Sequence, residues 1–402
     1  MSVTAILTSD NHLGAYYARL RPPQLEERRR RLQEAFRAVV DAALELRVDL
    51  FLHAGDLFDS PTPRNADRLF VAGELQRLRE AGIPVFGVSG NHDRPRSSGY
   101  DGGVGAQEEL AALRGLRLFR ETRRWESESL VIGGHHVTVW GLSADFGLPF
   151  GTCPLAGVDA PSMSRPGLHI VLLHCGVEGW VYPDAREPCL SLTNLAALGA
   201  DVVCVGHLHG CQEKRLPGGA LLLNPGSTER LSFGEESQEC GYHVLTLGPE
   251  GARAGHVRLP AQPMRTVSVD VTDLGDPEVE ATLMEGLASR LGRYCAEDLM
   301  LRVRLTGALP SYRMAELSLA DLQDWGQERC FHFQVEAESL EVRDAAEAEA
   351  AATVGLSYDA RSELGRVIDA SVGEAEGEER ALRAEAGARL LEAYDSLAGA
   401  RS

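Results

Sequence analysis

Residues 48–59 read VDLFLHAGDLFD, an apolar run that stops abruptly at a glycine and two acids. The run is too short for a helix, and its bulk argues a strand buried on both faces. The Gly55-Asp56 step then sets a carboxylate just past the strand's carboxyl end. The same grammar recurs outward from it. VTAILT at 3–8 leads into Asp10-Asn11-His12, and IPVFGV at 83–88 leads into Gly90-Asn91-His92-Asp93. IVLL at 170–173 leads into His174, and a run at 201–206 leads into Gly206-His207-Leu208-His209. Residues 24–46 carry Leu25, Leu32, Phe36, Val39, Val40, Ala43 and Leu46 at helical spacing, and 65–80 predict a second helix. Strands alternating with helices predict an α/β fold, whose ligand groups collect outside the carboxyl ends of strands. Later strands are expected at 129–140, 168–174, 201–206, 220–223, 242–247 and 256–259, with one helix at 191–198. Helices thin out there, so the sheet is expected to be mixed or doubled into a sandwich.

The chain has 402 residues, 44% hydrophobic and 25% charged, which excludes wholesale disorder. No apolar run approaches the length of a membrane span. The start, MSVTAILTSDNHLG, reads as a strand and not as a signal segment, so a cytoplasmic protein is expected. Eight cysteines occur without a CxxC pair, which argues for reduced, mostly buried thiols and against a zinc ribbon. The net charge of −19 is uneven: 26 basic against 31 acidic residues over 1–260, but 14 against 28 over 261–402. So acidic a chain is a poor stand-alone nucleic-acid binder, because phosphate neutralisation supplies most non-specific affinity. Action on DNA would need local arginines or a basic partner.

Three domains are expected. Residues 1–260 form the first, and AQPMR at 261–265 reads as a linker. Residues 261–340 read as a small β-α-β unit, with strands at 265–271, 299–305 and 331–337 and a helix near 278–291. Residues 341–402 turn to Ala, Glu and Arg, with helices expected at 359–371 and 376–398.

Five strand ends carrying Asp, Asn or His can converge on one site. Carboxylates, an amide oxygen and imidazoles, without thiolate, suit Mn²⁺, with Mg²⁺, Fe²⁺ or Zn²⁺ as alternatives. The groups outnumber the needs of one ion. Two ions ~3.5–4 Å apart serve in-line displacement at phosphorus, with one carboxylate between them. Gly55, Gly90 and Gly206 are expected to allow the turns that swing the next side chain inward. Each cluster alone has a plain reading: GNHD as a turn, His174 as a core histidine, Asp-x-His as surface polarity. The ordered set is what points to a metallophosphoesterase.

The set Asp-x-His, GDxxD, GNHD, His and GHxH resembles the calcineurin-like metallophosphoesterases, a two-sheet sandwich flanked by helices. Within them the chain resembles the SbcD family of double-strand-break repair nucleases, which work with the ATPase SbcC. TSDNHLG, HAGDLFDSPTP, GIPVFGVSGNHDRP and, above all, NPGSTERLSFGE at 224–235 carry that narrower likeness. It is strong over 1–260, weaker over 261–340 and only compositional beyond. The resemblance implies a sandwich with a small α+β capping domain and C-terminal helices. It implies one metal on Asp10, His12, Asp56 and His209, and another on Asp56, Asn91, His174 and His207. It implies His92 as the non-ligand histidine near the scissile phosphate. Asp59, where relatives carry His or Asp, would be a substrate contact or would orient a histidine. The implied reaction is Mn-dependent hydrolysis of DNA phosphodiester bonds, exo- and endonucleolytic, on DNA ends, hairpins and single strands. The implied partners are SbcC, met by the C-terminal helices, and a second copy of the chain, met through the catalytic domain's helices.

Arg94 and Arg96 flank the GNHD loop and are the candidate phosphate contacts. Arg28 to Arg31 are expected on a solvated helix face, His53 as a packed strand residue, Trp140 and Trp180 as packing, and His135 and His136 in an exposed hairpin. Two other functions share the motif set: a phosphomonoesterase or small-molecule phosphodiesterase, and a catalytically inactive adaptor. The extra residues after 260 and NPGSTERLSFGE weigh against the first, and the filled ligand positions against the second.

Overall fold

The structure, a computed structural model, describes residues 2–95, 104–113, 115–145, 147–149, 151–161, 163, 166–181, 188–275 and 282–342, and beyond them 364, 368, 372, 380 and 382–391. The chain divides into two compact units. One comprises 1–267, 294–303 and 323–334, and the other 268–293, 304–322 and 335–402.

The first unit is built on two six-stranded sheets. In one, β1 (Val3–Thr8), β2 (Leu50–His53), β3 (Val85–Val88) and β4 (Arg117–Phe119) run parallel. β13 (Gly241–Gly248) and β14 (Gly251–Arg258) extend it antiparallel beside β1. The other sheet has the order β11-β12-β10-β7-β6-β5. Its members are β11 (Gln212–Arg215), β12 (Leu221–Asn224), β10 (Val202–Gly206), β7 (Leu168–His174), β6 (His135–Leu142) and β5 (Glu126–Ile132). Successive side chains of a strand point to opposite faces, and here both faces are covered. Val3, Ala5 and Leu7 of β1 meet Val137, Ile170, Leu172 and Cys204 in the core between the sheets. Ile6 faces the other way, toward Leu32, Phe36, Val39 and Val40 of α1 (Pro22–Leu46) and Val71 and Leu75 of α2 (Asn65–Glu80). Val171, Leu173, Val203 and Val205 look outward to a third cluster with Leu195 of α4 (Leu192–Ala196). The mixed, two-sheet α/β architecture agrees with the sequence expectation.

Several short strands escaped the sequence reading or its bounds. β4 and β11 are three- and four-residue strands, too short for periodicity. The strand expected at 129–140 and the hairpin expected at His135 and His136 are one feature, the hairpin β5–β6 over 126–142, turned by Gly133 and Gly134 at positive φ. The linker reading of 261–265 fails physically. Gln262 is buried, its N–H donates to the Glu229 carboxylate, and its side-chain amide donates to the Asp298 carbonyl.

The solvated-face reading also fails at Arg28. It is fully buried in α1, 3.3 Å from the Glu229 carboxylate, and it donates to Tyr17 Oη and the Arg230 carbonyl. Arg30 behaves as read and pairs at the surface with Glu27 and Glu34; Arg31 is partly covered and pairs with Asp298, and Arg29, largely covered, pairs with Glu26 and donates to the Ala15 carbonyl. Burying a guanidinium is tolerable only when paired, and losing one partner of such a pair costs about 3–5 kcal/mol.

β15 (Met264–Asp270), β16 (Met300–Leu309) and β17 (His332–Val342) form a three-stranded sheet in that order. In the second unit, α5 (Leu283–Gly292) opens with a capping box between Thr282 and Glu285 and buries Leu283, Leu287 and Leu291. Of the C-terminal apolar positions, Leu382 and Leu390 are exposed, while Val367, Tyr394 and Leu397 lie outside the described residues. Among the described residues no helix is long and apolar enough to cross a membrane.

Candidate metal centre

The carboxyl ends of β1, β2, β3, β7 and β10 deliver every ligand candidate to one place. Asp10 and His12 follow β1, Asp56 and Asp59 follow β2, Asn91 and His92 follow β3, His174 ends β7, and His207 and His209 follow β10. Four of them, Asp10, His12, Asp56 and His207, have left-handed backbone, with φ of 50°, 44°, 53° and 98°. Such residues cost of order 1–3 kcal/mol each and cluster at functional sites. Of the three flanking glycines, only Gly55 has positive φ. Gly90 and Gly206 are needed for close approach instead. A Cβ would strike the Asp56 carboxylate at Gly90 and the Ala54 carbonyl at Gly206.

The ligand atoms of Asp10, His12 and His209 lie within 4.8 Å of one another, and so do those of Asp10, Asp56 and His174. Asp56 sits between the two sets, its Oδ2 being 3.2 Å from His174 Nε2 and 3.7 Å from His12 Nε2. Asn91 Oδ1 lies 3.1 Å from both His174 Nε2 and His207 Nδ1. His92 also comes within range of His12 and Asp56. It differs in exposure: its side chain is 41% accessible, against 3% for His12 and 1% for His174.

Behind the ligands stands a second ring of acceptors. Asp59 Oδ1 is 3.1 Å from His12 Nδ1, and Glu235 Oε1 is 3.1 Å from His209 Nδ1. The Ala54 carbonyl is 2.8 Å from His174 Nδ1, and the Asp59 carbonyl is 3.0 Å from His92 Nδ1. An imidazole donating its Nδ1 proton outward turns the Nε2 lone pair inward, which fixes tautomer and aim. Asp10 accepts from the His207 N–H at 3.1 Å. Asp93 is buried and accepts from the N–H groups of Phe58 and Gly90 at 3.0 Å, clamping the loop that holds Asp56.

The donor set fits divalent cations. Asp10 and Asp56 are each 1% exposed, and among the described residues no Arg or Lys pairs with either. His12 Nε2 is buried without a hydrogen-bond partner. Buried carboxylates and an orphaned imidazole nitrogen are costly unless a cation takes them up. All donors are oxygen or nitrogen, as borderline-to-hard ions prefer. The charges are mutually tuned. Burial would raise Asp56, but His174, His12 and His92 hold it well below the usual carboxylate range. Burial would lower His174, but Asp56 beside it lifts it to about 9. Asp93 is pushed up to about 6, first by burial and then by Asp56. His53, packed as expected, falls to about 3 through burial and His174.

The structure therefore brings Asp10, His12, Asp56, Asn91, His174, His207 and His209 together with His92 and Asp59. Arg94 lies near the loop, with one Nη donating to the Arg120 carbonyl at 2.9 Å, and Arg96 falls outside the described residues. Trp140 donates to His169 Nδ1, and Trp140 and Trp180 both pack against the outer cluster. Sequence reading missed Glu235, and it named Asp93 in its strand-end cluster without giving it a role. The signal for the first was present in NPGSTERLSFGE, whose residues hold the GHLH loop. Asn224 donates to the carbonyls of Leu208 and Gly210, the Ser227 N–H donates to the His209 carbonyl, and Glu235 backs His209 itself.

The sequence profile of the calcineurin-like phosphoesterases matches residues 3–211. Among curated proteins, the DNA double-strand break repair protein Mre11 of Methanosarcina mazei is 29% identical over 289 residues, covering 70% of this chain and 42% of its own. That of Haloferax volcanii is 30% identical over 309 residues, covering 75% of this chain and 61% of its own. That of Archaeoglobus fulgidus is 26% identical over 365 residues, covering 84% and 76%. The chain spans about half the length, or less, of several of the curated relatives it matches.

Proposed function

Because the chain belongs to the calcineurin-like phosphoesterase family, we propose that it is a metal-dependent nuclease that hydrolyses DNA phosphodiester bonds during double-strand-break repair. The observation that carries the hydrolase reading is the convergence of seven side chains with oxygen or nitrogen donors, Asp56 among them, with no Arg or Lys paired to their carboxylates among the described residues. The likeness to proteins named for DNA double-strand break repair supports DNA as the substrate. In this reading Asp10, His12, Asp56 and His209 hold one divalent ion, and Asp56, Asn91, His174 and His207 hold the other, Mn²⁺ being favoured. Ions bound there supply Lewis-acid activation of water and of the phosphoryl oxygens.

The chain's own groups do the rest. Asp56 keeps the two ligand sets in register. Asp59 and Glu235 hold His12 and His209 in the tautomer that presents Nε2. His92 donates from Nδ1 to the Asp59 carbonyl, so to protonate a departing 3′ oxygen it must carry a second proton on Nε2. The acid is then the imidazolium, and it lies where solvent can recharge it. Arg94 and Arg96 flank the same loop and are the proposed phosphate contacts.

A cytoplasmic protein of this kind would act as a homodimer with an SbcC-type ATPase at DNA ends and hairpins. Leu32, Phe36, Val39 and Val40 of α1 are spent on their own core, whereas Leu69 of α2 is 76% exposed and is available to a second copy. The test is purified protein with Mn²⁺ on hairpin DNA, linear duplex, single strands and an aryl phosphomonoester. Mn²⁺-dependent DNA cleavage with little monoester turnover is expected. The reverse preference overturns the nuclease reading, and inertness on every substrate favours the adaptor.

A further inference from the structure

Glu235, the carboxylate behind His209, is itself gripped by one short stretch of chain. Its Oε2 accepts from the Leu231 N–H at 2.8 Å, and its Oε1 accepts from the Ser232 hydroxyl at 3.0 Å. The Leu231 N–H and the Arg230 carbonyl are opposite edges of one peptide unit, which partial double-bond character keeps planar. The carbonyl edge is held by Nη2 of the buried Arg28. We propose that Arg28 is a positioning residue for the metal centre: it fixes the peptide plane that aims Glu235 at His209. The inference rests on the metal-binding reading above and deepens it for one half of the centre.

Three observations carry it. Arg28 is itself pinned, with Nη1 3.3 Å from the Glu229 carboxylate and Nη2 donating to Tyr17 Oη at 3.1 Å. Glu229 is pinned in turn, accepting from the N–H groups of Arg230 and Gln262. The peptide unit is also anchored from its other side, where the Arg230 side chain donates to the carbonyls of Gln262 and Gln238 at 3.0 Å. Finally, the contacts run in series from guanidinium to peptide to carboxylate to imidazole. Hydrogen bonds in series polarise one another in a dry interior, so a cation on the carbonyl makes the far N–H a stronger donor to Glu235. A buried ion pair serving stability alone would be complete with Glu229. The planar fork that meets Glu229, Tyr17 and the carbonyl together is what an ammonium cannot reproduce.

The test titrates Mn²⁺ calorimetrically into the full chain. Arg28→Lys should weaken one of two sites by roughly tenfold, the low end for an outer partner of a metal ligand, and spare the other. In a Glu235→Ala background the same change should add little, because the carboxylate it aims is gone and members of one network are not additive. Phe36→Leu, a core change in the same helix, should lower Tm and leave both sites as they are. If Arg28→Lys does not fold, Arg28→Met with Glu229→Gln leaves no unpaired charge and keeps an acceptor for the Gln262 N–H, and the same one-site loss is expected. Losses from Arg28→Lys and Glu235→Ala that multiply in full overturn the proposal. So do equal weakening of both sites, unchanged sites in a folded variant, or a matching loss in Phe36→Leu. A chain that binds a single Mn²⁺ removes the two-ion reading, and the same pair of variants then decides the proposal on that ion. These losses in a protein that cuts no DNA keep the proposal and remove the nuclease.

Discussion

The two halves of the centre are backed differently. His12 and His209 each lean on a carboxylate, Asp59 and Glu235, whereas His174 leans on the neutral carbonyl of Ala54. A carboxylate behind an imidazole raises its basicity and strengthens it as a ligand. On the proposed assignment, the first half would hold its ion the more tightly. The second shares the Asn91 amide oxygen between two rings. The lesson is that similar ligand counts need not mean equal sites, because the difference lies one contact further out.

Removing the shared member should abolish the comparison. Asp56→Asn takes charge from both halves, and cleavage should fall to background while circular dichroism stays native. Near-normal Mn²⁺-dependent cleavage would sink the two-ion assignment. His92 belongs to neither half. His92→Ala should retain both ions by elemental analysis yet lose roughly a hundred- to ten-thousandfold in rate. Loss of an ion would make it a ligand.

Glu235 sharpens the contrast most directly. Glu235→Ala should weaken one of two calorimetrically resolved Mn²⁺ sites by roughly ten- to a hundredfold and spare the other. Glu235→Gln should recover part of the loss, since an amide oxygen still accepts from Nδ1. Equal weakening of both sites would show the halves to be one unit.

The smallest effect concerns a histidine with no carboxylate behind it among the described residues. His332 is lowered to about 4 by burial and then by Arg19 and Arg21, whereas Glu235 overcomes burial to raise His209. Unfolded, His332 takes up its proton near pH 6.5, so the unfolded chain binds more protons between about 6.5 and 4. Stability should therefore fall as pH drops through that window. His332→Gln should flatten the fall by a few degrees in Tm, the scale of ~1 kcal/mol. A larger fall in the variant would reverse the sign.

The ligands were legible because each is fixed by a local rule, a short apolar run ending in a polar residue. Their supports were not. Glu235 reaches His209 across 26 residues, and Arg28 reaches Arg230 across 202. Such pairs are set by how the sheets and loops close, to which no periodicity is sensitive. Arg28 stood in a run of four arginines that reads as surface, and Glu229 and the Arg230 carbonyl, brought in by a distant loop, together with Tyr17 make its burial affordable. The edge strands β4 and β11 stayed hidden for a different reason, being too short to display alternation.

The left-handed backbone at Asp10, His12, Asp56 and His207 has an evolutionary consequence. Glycine would relax all four turns, so selection for stability alone pulls each position toward losing its side chain. A lineage that no longer cleaved its substrate would be expected to shed these four ligands early, gaining robustness as it did so.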